Sequence, residues 1–207
     1  MRPALSAHDC TMDLIYLASQ SPRRSQLLTQ LGQAHTLLLA DADEDAEALE
    51  EVHGNESPKA YVQRVTRLKL EAAMQRLQRR GLPSAPVLCA DTTVALGRSI
   101  LGKPADARDA QRMLGLLSGQ THRVLTSVAV GWGRKRLQAC SESHVRFAVM
   151  RPSEIRAYVQ TGEPMGKAGA YGIQGAAAAH IAHISGSYTG IMGLPLYETS
   201  ELLKALR

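Results

Sequence analysis

The stretch LIYLASQSPRRSQLL, residues 14–28, leaves few choices of fold. LIYLA (14–18) is a short, continuous apolar run of the kind that fills a central strand. Three residues later, Ser21 suits a helix N-cap and Pro22 the first helical position, while Leu27, Leu28 and Leu31 supply a buried side before Gly32 ends it. A buried strand that feeds straight into a helix begins an α/β domain.

The rest of the chain extends that beginning. In SPKAYVQRVTRLKLEAAMQRLQRRG, Ser57 and Pro58 repeat the cap, Tyr61, Val65, Leu68 and Ala72 fall at helical spacings, and Gly81 suits a left-handed stop. PVLCAD (86–91) predicts a buried strand ending at a carboxylate, with TTVALGRSILGKP continuing it into a turn at Gly97 and Arg98. A short helix in DARDAQRMLGLLSG precedes two strand-rich runs, HRVLTSVAV and LQACSESHVRFAV, joined through GWGRK. A helix near SEIRAYVQ, a glycine-rich stretch and a final helix from about Pro195 to Leu206 complete the order. There is no internal repeat. The expectation is an α/β fold, a mixed sheet wrapped by helices rather than a strict βαβ succession.

At 207 residues, 44% hydrophobic and 21% charged, the chain is long and apolar enough for a sizeable core, as one domain or two small lobes. No apolar run approaches membrane-spanning length, and MRPALSAHDCTMD lacks the apolar stretch of a signal peptide, so a cytoplasmic setting is expected, without membrane partners. Cys10, Cys89 and Cys140 form neither a disulfide framework nor a metal spacing. The net charge of +5 suits phosphate-rich ligands, but the aromatic content is 4% and Phe147 and Trp132 are not interleaved with a basic stripe. Nucleic acid is therefore not an expected partner.

Several residues have the chemistry of a phosphate site. Backbone N–H groups at a helix start favour an anion, and the Ser21 hydroxyl with the Arg23 and Arg24 guanidinium groups would add charge-assisted hydrogen bonds to phosphate oxygens. Taken alone, the segment also fits a capped surface helix with two solvated arginines. Asp91, closing a buried strand, is placed to bind a divalent cation or take a proton from water. Asp43 and Glu44 are cation candidates within an acidic run whose other members, including Glu50 and Glu51, read as solvated. Lys69 and Lys103 are point charges suited to a triphosphate. In GAYGIQG the glycines let backbone approach a ligand and leave the Gln174 amide free to read a base edge. Neither G-x-G-x-x-G nor G-x-x-x-x-G-K-[ST] is present, and His180 and His183 lack partners for a zinc site. Ser21 has neither an evident histidine nor a G-x-S-x-G context for hydrolase chemistry.

Together LASQSPRRSQLL, ADTTV, LGKP, SGQTHRVLTSVAV, KAGAYGIQG and ISGSYTGIMGLPLYET resemble the Maf family of nucleotide pyrophosphatases, in that family's order, from about Leu14 to the C-terminus. The resemblance implies an elongated α/β fold related to the inosine triphosphate pyrophosphatases, with two lobes around a cleft. It also implies hydrolysis of a nucleoside triphosphate to the monophosphate and pyrophosphate with Mg2+ or Mn2+. Carried over by residue, it assigns Asp91 as proton acceptor, Ser21, Arg23, Arg24, Lys69 and Lys103 to the substrate, Glu44 with Asp91 to the metal, and Arg23, Thr92 and Gln174 to nucleotide choice. A homodimer is a further implication.

SPRR, ADT and GIQG match the branch acting on dTTP and UTP. The 7-methyl-GTP branch has a tryptophan before its arginines, and both that specificity and a regulatory role in septum formation stand as alternatives. GAAAAHIAHI departs from the glycines or leucine usual after GIQG, and VQRVTRLKLEAA from the commoner RLAxEKA. Residues 1–11 fall outside the resemblance and are expected to be a disordered or upstream extension of a single domain spanning 12–207, with Met12 as an alternative start.

Overall fold

A computed structural model describes residues 13–41, 44 and 48–206, so the expectations for residues 1–11 and for Asp43 lie outside the described residues. Its centre is a mixed sheet in the order β2-β1-β3-β5-β6-β7, built from β1 (Ile15–Leu17), β2 (His35–Leu37), β3 (Val87–Leu96), β5 (Thr121–Trp132), β6 (Lys135–Phe147) and β7 (Ile181–Ser185). A short strand, β4 (Ser99–Leu101), folds back on the end of β3. β2, β1 and β3 are parallel, and every other pairing is antiparallel. The expected mixed sheet flanked by helices is what the chain forms.

The helices follow their caps. α1 (Pro22–Gln30) begins after Ser21 with proline in its first turn and buries Leu27 and Leu28. α2 (Pro58–Arg79) starts at Ser57, whose side chain accepts from the Ala60 N–H, and α3 (Ala107–Leu117) at Asp106, whose carboxylate accepts from the Asp109 N–H. α4 (Pro152–Gln160), α5 (Tyr188–Met192) and α6 (Leu196–Leu206) complete the set. β7 and α5 were not read from the sequence, because HISGSYTGIMG has the composition of a connection.

Two further differences bear on function. Asp91 does not end its strand: β3 runs through it to Leu96 because TTVAL is as β-prone as VLCA. The strand has an open edge there instead. β1 pairs with β3 at Val87 and Leu88 and β4 pairs from Val94 to Leu96, so from Cys89 to Thr93 the only partner among the described residues is β5. α2 buries Tyr61 and Val65 as expected, together with Val62, Thr66, Leu70, Ala73, Arg76 and Leu77, but Leu68 is exposed and Ala72 only half-buried. Lys69 and Arg76 lie on the inward stripe, seven residues apart, so the helix carries two positive charges toward the opening.

The core is divided at the same place. One apolar cluster joins Ile15, Leu28, Leu88, Ala90, Val128 and Leu203; another joins Val94, Leu101, Leu114, Val124, Phe147 and Tyr158. Along β3 they are separated by Asp91, Thr92 and Thr93. Leu28→Ala should lower stability by about 2–5 kcal/mol. Urea unfolding checks this, with Gln26→Ala on the exposed face of α1 expected to stay within roughly 0.5 kcal/mol of the parent.

Candidate active site

The open edge of β3 forms the floor of a cleft of about 1000 Å³. Ser21, Arg23 and Arg24 stand on one wall, Lys69 on another, Lys103 beyond β4, and Gln174 on the loop after α4. Glu44, Asp91 and Thr92 line the same space. Segments far apart in sequence thus converge on one opening.

The arginines are held by the backbone at the C-terminal end of α5. Arg24 Nε donates to the Gly193 carbonyl at 2.8 Å and Nη1 to Ser19 Oγ at 3.0 Å, and Arg23 Nε donates to the Met192 carbonyl at 3.3 Å. Gly193 caps α5 with φ +119, a conformation in which a side chain would be strained. Arg24 Nη2 reaches Thr92 Oγ1 at 3.5 Å, Thr92 lies 3.0 Å from Thr126 Oγ1, and Thr126 donates to the Gly190 carbonyl at 2.7 Å. With one proton per hydroxyl, Thr92 donates to Thr126 and accepts from Arg24. Burial lowers the Arg24 pKa while Asp91 opposes that fall. Ser21 makes no side-chain capping bond, so its hydroxyl is not spent on the helix it starts.

Across the cleft, Lys69 Nζ donates to Asp91 Oδ1 at 2.6 Å and to Glu50 Oε1 at 2.7 Å. Lys103 Nζ reaches Glu50 Oε2 at 3.2 Å. Burial works against the Lys69 ammonium, but the two carboxylates outweigh it and raise its pKa above the ordinary lysine value. Glu50 shows the converse: burial opposes its charge, yet Lys69 and Lys103 hold it below the usual carboxylate range. Glu50 belongs to a single 3-10 turn, Ala48–Glu50, whose backbone is tied to α2 because Tyr61 donates its hydroxyl to the Glu50 carbonyl at 2.8 Å.

Glu44 faces a different pair of cations. Arg76 donates to it through Nε at 2.8 Å and Nη2 at 2.5 Å, and Arg79 donates through Nη2 at 2.7 Å. The Arg76 hydrogen bond holds the Glu44 carboxyl down at about 2. The expectation that Glu50 is merely solvated therefore fails, and the carboxylate directly linked to Asp91 through Lys69 is Glu50. Nothing in DADEDAEALEE distinguishes one acid from the next by local pattern, so no sequence signal could have selected it.

The remaining wall is the loop KAGAYGIQG. Its Gly169 N–H donates to the Gly102 carbonyl at 3.0 Å, tying it to the turn that carries Lys103. Tyr171 is braced from beneath by His122, whose Nε2 lies 2.7 Å from the Tyr171 hydroxyl. Burial pushes the His122 pKa down to about 4, so the ring is neutral near pH 7, and it stacks on Phe147. Lys167 adds a cleft cation that sequence reasoning missed, although it opens the same glycine-rich motif. Among the described residues no group of three or more His, Cys, Asp and Glu side chains is arranged to hold a metal, and no helix is long and apolar enough to cross a membrane.

The profile of the family described as Maf-like protein matches residues 14–206. The chain belongs to the Maf family. Among Maf relatives, a protein of Albidiferax ferrireducens named "dTTP/UTP pyrophosphatase" is 67% identical, the match covering 93% of this chain and 96% of that one. Proteins of the same name from Polaromonas sp. and Cupriavidus metallidurans are 65% and 63% identical, covering 93% and 92% of this chain and 96% of each relative. The solved Staphylococcus aureus Ham1 protein is similar at a TM-score of 0.40 and 11% identity, over 66% of this chain and 72% of that one, which is too remote to bear on the site.

The Glu44 cluster of this Maf protein has a pH signature. With a folded pKa near 2, below the ordinary value of 4.5, the unfolded chain binds more protons at this site as pH falls between those limits. Its contribution to stability is thus complete above about pH 5 and is lost toward pH 2. Glu44→Gln should flatten the loss of stability across that window, measured by urea unfolding at a series of pH values.

Proposed function

We propose that this chain hydrolyses dTTP and UTP to the nucleoside monophosphate and pyrophosphate, with the cleft at the open edge of β3 as its active site. The observation that carries the reading is the meeting of Asp91 with Lys69 at 2.6 Å on a floor faced by Arg23, Arg24 and Lys103. An acid able to accept a proton is surrounded by cations suited to a polyanion. The name shared by relatives more than 60% identical over nearly the whole chain supports the same substrates.

Ser21, Arg23 and Arg24 take phosphate oxygens at the start of α1, where exposed N–H groups already favour negative charge. Lys69 and Lys103 take the other end of the triphosphate and exchange the Glu50 carboxylate for phosphate oxygens as they do so. Asp91 orients a water and accepts its proton. The water oxygen bonds to the α-phosphorus, the bond from that phosphorus to the α–β bridging oxygen breaks, and pyrophosphate leaves with the bridging electrons. Arg23, Thr92 and Gln174 set nucleotide choice: Thr92 sits on the relay that fixes Arg24, and Gln174 offers both a donor and an acceptor to a pyrimidine edge.

The donor set fits Mg2+ or Mn2+, which usually take one or two carboxylates with phosphate oxygens and water. Asp91 gives Oδ1 to Lys69 and its Oδ2 has no hydrogen bond among the described residues, which leaves an oxygen for the cation. Glu44 joins it only by giving up Arg76 and Arg79. When bound, the cation supplies neutralisation of charge developing on the phosphates.

A panel of pyrimidine and purine triphosphates, including 7-methyl-GTP, tests this reading with monophosphate and pyrophosphate quantified together. The expected result is selective turnover of dTTP and UTP with equimolar products, lowered about 10²- to 10⁴-fold in Asp91→Asn. Nucleoside diphosphate and free phosphate as first products would contradict the bond assignment, and full activity in Asp91→Asn would remove the proposed base.

A further inference from the structure

We infer that Glu163, on the loop that leaves α4, is a positioning residue for nucleotide choice that acts by holding Gln174 toward the cleft. The inference rests on the proposed role of Gln174 as the residue that reads the base.

Gln174 lies on a loop with little regular structure, between the 3-10 turns Ala168–Ala170 and Ala176–His180. Its side chain is exposed to the cleft, so its aim depends on how the backbone on either side is held. On the C-terminal side, Glu163 Oε2 accepts from the Ala176 N–H at 2.9 Å. The carboxylate also lies directly against Gly175: a Cβ there would fall 2.0 Å from Oε1, so only glycine admits this approach. Through its other oxygen, Oε1, Glu163 accepts from the Tyr158 hydroxyl at 3.0 Å. Tyr158 is a buried core residue of α4, so the anchor is rigid. Glu163 is itself fixed through its backbone, its N–H donating to Thr161 Oγ1 at 3.2 Å and its carbonyl accepting from Lys167.

One carboxylate therefore ties the Gly175–Ala176 end of the segment that bears Gln174 to the buried Tyr158 of α4. The carboxylate has no hydrogen bond to Ser21, Arg23, Arg24 or Asp91, and the backbone carbonyl that holds Lys167 is kept whatever side chain stands at 163. A carboxylate held this way can set where the Gln174 amide points while leaving the hydrolytic residues unchanged. The arrangement differs from a general stability contact because one of its hydrogen bonds ends on the loop that bears the base reader, two residues from Gln174, and a glutamine at 163 can still accept from Ala176 and meet Tyr158.

The test compares kcat/KM for dTTP and dGTP in the full-length protein and in Glu163→Ala, Glu163→Gln, Gln174→Ala and the double variant Glu163→Ala/Gln174→Ala. Glu163→Ala should lower the dTTP-to-dGTP ratio about tenfold, the scale of one well-placed hydrogen bond, chiefly through KM for dTTP. Glu163→Gln should stay within about twofold of the parent. The double variant should fall no further than Gln174→Ala, because both changes remove the same reading. If Glu163→Ala does not fold, Tyr158→Phe keeps the core ring, removes the bridging hydroxyl and should lower the ratio in the same direction. An unchanged ratio in folded Glu163→Ala, or in Tyr158→Phe if it takes that variant's place, overturns the inference, as do losses that multiply in the double variant. Where Gln174→Ala lowers the ratio and Glu163→Ala does not, only Glu163 loses its role; where Gln174→Ala itself changes nothing, the reading of Gln174 fails and the inference falls with it.

Discussion

A carboxylate in the middle of a strand covered on both faces is costly unless a cation meets it, and Lys69 meets Asp91 at 2.6 Å. The rest of the cleft is arranged around that pair. α2 has to present Lys69 inward, which displaces Leu68 to the surface, and β3 has to lack a neighbour on the Asp91 edge so that the pair opens to solvent on one side. The two apolar clusters close above and below it without joining along β3.

Charge in the cleft is matched in steps. Glu50 adds a second negative charge to Lys69 and the first to Lys103, so the two ammonium groups converge on a carboxylate much as they would on a phosphate oxygen. Arg23 and Arg24, by contrast, are held through backbone carbonyls and hydroxyls, which orient a guanidinium without neutralising it. One side of the cleft is therefore positive and preset, and the other is positive only when an anion takes the place of Glu50. A polyanion spanning both sides meets complementary charge along its length.

Gly193 and Gly175 shape backbone that lines the cleft on two sides. The first turns its carbonyl to Arg24; the second lets the Glu163 carboxylate lie against the backbone beside Gln174. Both depend on the missing Cβ. The loop that bears Gln174 is held both by these contacts and by the buried Tyr171, Ile173 and Ala177, which anchor it in the core on either side of the exposed amide.

Much of this was legible before any coordinate. The strand-cap-helix order of LIYLASQSPRRSQLL, the α2 cap, the α3 helix and the paired strands either side of Gly133 follow from local rules, because capping, turn chemistry and apolar runs act over a few residues, whereas Ser21, Arg23, Arg24, Asp91 and Gln174 were candidates by residue chemistry that took their roles from the family resemblance. Tertiary structure alone decided that Asp91 lies at an open edge of β3, that Lys69 rather than Leu68 faces inward, and that Glu50 shares Lys69 with Asp91 while Glu44 pairs with Arg76 and Arg79. It also decided that Glu163 joins the backbone next to Gln174 to Tyr158. The physical reason is common to all four: which groups meet depends on distances between segments remote in sequence, and carboxylates that are chemically identical along the chain become different only when the fold brings particular partners to each.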